Sequence, residues 1–113
     1  MDIHLYKILG AVQWREARAH GVFDGAGIDL ADGYIHFSTA AQVRETAARH
    51  FAGRDDLMRL TVDPARLPAS ALRWEPSRGG ELFPPLSAAL ELDCVLRAEA
   101  LPLLAGGAHG FPK

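Results

Sequence analysis

Cysteine is almost absent from this chain: Cys94 is its single thiol. One thiol excludes an intrachain disulfide and any cysteine-based zinc site. It fits a reducing cytoplasm, which is the expected location. No apolar run approaches the roughly 20 residues needed to cross a bilayer. The opening residues Met1-Asp2-Ile3-His4-Leu5 lack the basic region and apolar stretch of a secretory signal. Positive charge is not in excess either. The formal net charge is −2, which argues against gripping nucleic acid through a broad basic surface but leaves room for a local anion pocket. His4, His20 and His50 have no metal-ligand spacing with a carboxylate partner, so no metal site is expected. Internal repeats, long linkers and a Gly-x-Ser-x-Gly elbow are missing too, which leaves one domain and no foothold for a serine hydrolase.

The composition is that of a folded protein. Hydrophobic residues make up 49% of 113 positions, enough for a modest core in one domain. Residues 3–8 read as a strand, with Ile3, Leu5 and Lys7 on one side and His4, Tyr6 and Ile8 on the other. A helix over 12–20 follows, stopped by Gly21. The Gly- and Asp-rich stretch 21–33 reads as an irregular loop with an apolar insertion at Ile28 and Leu30. Residues 34–38 form the next strand. Thr39 is placed as an N-cap, with Gln42 completing a capping box for a helix over 40–50 that Gly53 closes. Strands at 57–62, 72–75 and 93–100 complete the pattern, with a single helical turn begun by Asp63-Pro64. Helices and strands mix without regular βαβ alternation, so the expected class is α+β, with a small, mostly antiparallel sheet and two helices. The domain should span 1–104, with 105–113 as a flexible tail.

Period-2 geometry decides what the central strand presents. Ile35 and Phe37 share the core face, while Tyr34, His36 and Ser38 share the other. A phenol, an imidazole and a hydroxyl therefore stand in a row where the strand enters a helix N-terminus. Unpaired N–H groups at such a terminus favour an anion such as phosphate. Imidazole and hydroxyl can orient a ligand or move a proton. The same residues also suit a half-exposed strand face followed by an ordinary cap.

The run Asp32-Gly33-Tyr34-Ile35-His36-Phe37-Ser38-Thr39, followed by Gln42-Val43, resembles the signature of the bacterial family labelled domain of unknown function 952. Leu5-Tyr6-Lys7-Ile8, Trp14, Gly21, Trp74-Glu75 and the segment 80–84 match it at the expected places. That family is similar in turn to the ADP-ribosyltransferase superfamily. The resemblance implies a split, strongly bent sheet and a cleft for a nicotinamide nucleotide, with NAD as a substrate. The RNA 2′-phosphotransferases carry a His-Val-His-Leu-Ser strand similar to Tyr34-Ile35-His36-Phe37-Ser38. Two departures stand out. Asp32 occupies the place of a phosphate-clamping Arg, and Pro85-Leu86-Ser87 replaces His-Leu-Tyr.

By this resemblance, His36 and Glu75 are the candidate catalytic residues, Glu75 polarising a ribose hydroxyl. Tyr6, Lys7, Tyr34, His36, Ser38 and Thr39 are the candidate nucleotide-binding residues. Only one of Tyr6 and Lys7 can enter the cleft, since neighbours on a strand point to opposite faces. Arg73 beside Glu75 would make an ordinary surface pair. Trp14 and Trp74 suit the core better than a base-stacking role, and Gly79-Gly80 reads as a turn. The expected function is a nucleotide or phosphate-ligand cleft, with ADP-ribosyl transfer if the protein is an enzyme. The alternative is a degenerate binding or protein-interaction module. No membrane partner is expected.

Overall fold

As a computed structural model, the protein is described over residues 4–25, 28–68, 72, 75–76, 82–83, 85–104 and 109–111. Its centre is a three-stranded antiparallel sheet in the order β1-β4-β9, built from β1 (Leu5–Gly10), β4 (Leu57–Val62) and β9 (Val95–Leu101). The alternation expected for the first strand holds. Leu5 and Leu9 enter one core cluster with Leu60 and Val62, while Ile8 enters a second cluster with Leu57 and Leu101. The sheet therefore separates two apolar layers, as period-2 side-chain geometry requires.

The first layer is closed by α1 (Ala11–His20), β2 (Val22–Phe23), β3 (Ile35–His36), β7 (Pro85–Leu86) and β8 (Leu90–Glu91), which contribute Ala17, Phe23, Ile35, Leu86 and Leu90. Trp14 packs against this layer from α1. Gly21 ends α1 at φ 82°, and its N–H donates to the Ala17 carbonyl. That left-handed turn is one that glycine enters without a Cβ penalty. The second layer is closed by α3 (Val43–His50) through Val43 and Ala47. The cap expected at Thr39 is displaced: the N-cap of α3 is Gln42, which makes no side-chain cap bond to the helix, although its Oε1 accepts from the Thr39 N–H at 3.2 Å. The helix proper begins later than position 40, because Thr39 to Gln42 form a turn closed on the Thr39 carbonyl. Asp63 caps its turn as expected, accepting from the Ala65 N–H at 3.0 Å.

Four features differ from the sequence expectation. The 21–33 stretch holds β2 and a third, five-residue helix, α2 (Ile28–Asp32). Central-strand pairing is shorter than 34–38, since β3 pairs with β7 while Ser38 pairs separately with Tyr6 on the edge of β1. A short 3-10 turn, Leu92–Cys94, precedes β9, so that strand begins at Val95. Part of the segment expected to be a tail is also held. His109 Nε2 donates to the Arg54 carbonyl at 2.8 Å, and Phe111 packs on the second layer beneath the Arg44 guanidinium. The apolar ring of Phe111 covers a layer that α3 alone leaves open, which gives this segment a reason to dock. The described architecture is a small α+β domain with antiparallel sheets and three α-helices. No described helix is long and apolar enough to cross a membrane.

Candidate functional site

The site is assembled around a carboxylate that the sequence pattern did not single out. Asp29, on α2, is 2% exposed. Its Oδ2 accepts from Lys7 Nζ at 2.7 Å. Its Oδ1 accepts from the His36 backbone N–H at 2.9 Å and from His36 Nδ1 at 2.6 Å. A buried carboxylate is tolerated only with this kind of saturation by donors. Burial alone would raise the Asp29 pKa. The Lys7 charge and the hydrogen bonds from Lys7 and His36 outweigh it and hold the carboxyl below its usual range. Burial pushes the Lys7 ammonium down, and the Asp29 charge pulls against that fall.

His36 is thereby fixed in orientation. With Nδ1 committed to Asp29, the other ring nitrogen, Nε2, points outward, 3.0 Å from Asp32 Oδ2 at the end of α2. Carboxylates only accept, so the imidazolium form satisfies both contacts at once. The His36 side chain stays 25% exposed, and the Tyr34 ring lies 4.6 Å from it at a tilt of 41°. A histidine oriented by a buried carboxylate can carry a proton to or from a bound molecule once Asp32 leaves its far nitrogen.

Beside this pair is a small open cleft of about 190 Å3, bounded by Asp24, Asp29, Leu30, Tyr34, Leu86 and Ser87 among others. It is smaller than the roughly 300–1,000 Å3 typical of small-molecule sites. A sugar or a single ring matches it better than a whole dinucleotide.

The candidates from the sequence separate into two groups. Lys7 and His36 come together at Asp29, and Tyr34 packs against His36 and lines the cleft. Ser38 does not join them: it is 6% exposed, and its Oγ meets Thr46 Oγ1 of α3 at 2.8 Å. Thr46 gives its own proton to the Gln42 carbonyl, so Ser38 is the donor in that pair. The Thr39 N–H is taken by Gln42. Tyr6 lies on the opposite face of β1 from Lys7, with the Arg59 guanidinium over its ring at 4.9 Å. Lys7 faces the Asp29 and His36 side, and neither of the two neighbours is among the residues that line the cleft. The Glu75 backbone lies in β5 (Glu75–Pro76), paired with Phe83 of β6 (Leu82–Phe83). Its side chain, Arg73, Trp74 and Gly79-Gly80 lie outside the described residues. No cluster of three or more metal-ligating side chains occurs among the described residues.

Sequence reasoning missed Asp29 because it stands in a Gly/Asp-rich stretch that reads as loop. No local signal marked it, since its neighbour Leu30 is 66% exposed and the partners that bury Asp29 lie on β1 and β3.

The crystal structure of protein CC0527 from Caulobacter crescentus is similar to this chain at 43% identity, with a TM-score of 0.90, covering 95% of this chain and 93% of that one. The solution NMR structure of CC0527 is similar at 44% identity, with a TM-score of 0.81, covering 96% and 91% of the two chains. No match was found among curated proteins. A family model matches residues 8–98, which include β1 from Ile8, the Asp29–His36 pair and most of β9, and the chain therefore belongs to the family described as protein of unknown function (DUF952).

Proposed function

We propose that this domain has an ADP-ribosyltransferase-like fold and binds the ribosyl–base end of a nucleotide, with NAD the leading candidate, in the cleft beside His36. The observation that carries this reading is the buried Asp29 carboxylate holding His36 Nδ1 at 2.6 Å, with the far side of the ring turned outward. The charge around the cleft favours the nicotinamide riboside end over the phosphates. Asp24 and Asp29 line it, Asp32 stands beyond His36, and the Lys7 ammonium is committed to Asp29. Carboxylates repel phosphate, accept from ribose hydroxyls and stabilise a cationic pyridinium or an oxocarbenium-like transition state. If the ligand is turned over, the C1′–N bond breaks, nicotinamide leaves with the electron pair, and water attacks C1′. The proton lost by that water passes to neutral His36 through Nε2. The single free thiol is the ground for placing the protein in a reducing cytoplasm.

One observation favours a second reading, a non-catalytic binding module. Asp32 already occupies His36 Nε2, so a proton acceptor there is available only when Asp32 swings away. Titrating isotope-labelled protein with NAD and with ADP-ribose tests both. Amide shifts at Tyr34, His36 and Ser87 with NAD, lost in a folded His36→Ala variant, are expected. Absence of shifts with either ligand overturns the proposal. Shifts without release of nicotinamide, followed by chromatography, select the binding module.

A further inference from the structure

We infer that the outer edge of β9 pairs with the same edge of a second copy of this chain, in antiparallel fashion about Ala98. Among the described residues β9 is bonded on one side only, to β4, and lies at the end of the sheet order β1-β4-β9. Its residues are open: Leu96 is 41% exposed, and Arg97, Ala98 and Ala100 are exposed. An unpaired strand edge offers a row of free N–H and C=O groups to another strand.

Natural edges are usually blunted by charge, and here the charge pattern selects one register instead. A two-fold axis perpendicular to the sheet keeps side-chain faces matched, so position 98 can lie opposite its own copy. Arg97 then faces Glu99 of the partner subunit, and Glu99 faces Arg97 of the partner subunit. Shifting by one step toward the N-terminus sets Arg97 against Arg97 of the partner subunit. Shifting the other way sets Glu99 against Glu99 of the partner subunit. Like charges directly opposite are destabilising, and opposite charges are favourable. The receiving group is also prepared. Glu99 Oε1 accepts from Arg59 at 3.1 Å, which holds the carboxylate in place and leaves Oε2 for a second guanidinium. Arg97 has no ion pair among the described residues.

The bulge between the partners of Thr61 and Val62 falls at Leu96 and confines regular symmetric pairing to the stretch 97–99. So short a strand pair buries less than the roughly 1,000 Å2 of a stable interface, and a dissociation constant on the order of 100 µM is expected.

Sedimentation equilibrium over a concentration series reads this directly. The wild-type chain is expected to dimerise near the top of the series. Arg97→Glu and Glu99→Arg are each expected to weaken self-association by at least about tenfold. Mixing the two variants is expected to restore a dimer, since each then faces the opposite charge, an effect that a merely structural role for either residue does not produce. If Glu99→Arg fails to fold, Arg97→Glu alone carries the test. A wild-type chain monomeric at millimolar concentration overturns the inference, as does a dimer that Arg97→Glu leaves intact or a mixture that stays monomeric.

Discussion

Replacing Asp29 with Asn is the perturbation that bears most directly on how this domain is held together. The side chain is nearly isosteric and its one oxygen can still accept from the His36 backbone, so the change removes the charge and turns the oxygen that met Lys7 into a donor. Lys7 is then left with its ammonium buried at 7% exposure and no carboxylate at 2.7 Å. Stripping one partner from a buried ion pair costs about 3–5 kcal/mol, because the other charge stays desolvated. Against a total stability of about 5–15 kcal/mol for a domain of this kind, that is a large fraction. It corresponds to a fall in Tm of roughly 10–25 °C. Urea denaturation followed by tryptophan fluorescence is the assay, and the midpoint should drop with an unchanged slope. The double variant Lys7→Met with Asp29→Asn should recover much of the loss, since it removes both charges rather than stranding one and keeps an acceptor for the His36 N–H. An Asp29→Asn protein within about 1 kcal/mol of wild type refutes the reasoning. So does a double variant less stable than Asp29→Asn alone.

Three further outcomes follow from the same geometry. The folded Asp29 carboxyl titrates below its usual value of 3.8, so its contribution is fully present above that value and lost as pH falls through the lower folded pKa; melting curves of wild type and Asp29→Asn should therefore converge on acidification, and parallel curves would contradict this. Ser38→Ala removes one hydrogen bond to Thr46 and should cost about 1 kcal/mol in urea unfolding while leaving ligand-induced shifts at Tyr34 and His36 unchanged; loss of those shifts in a folded variant would return Ser38 to the binding surface. Gly21→Ala meets no atom within 4 Å but forces an L side chain to φ 82°, so its unfolding free energy should fall by about 1 kcal/mol, and an unchanged midpoint would show that the turn relaxes.

The sequence by itself determined the local elements of this protein. Alternation in the first strand placed Leu5 and Lys7 together and set Tyr6 apart, because successive strand residues must point to opposite faces. Gly21 and Asp63 marked their turns for reasons contained within a few residues of each. Ile35 and Phe37 announced the buried side of the central strand in the same way. Tertiary structure decided the site. Lys7, Asp29 and His36 come from three segments, and only the docking of α2 against β1 and β3 brings them within hydrogen-bond distance. Packing of α3 on the second layer turned Ser38 toward Thr46, and contacts with that layer and with Arg54 hold Phe111 and His109 on the body of the domain. No local pattern encodes these outcomes, because a buried charge is tolerated only where distant chain segments supply its partners.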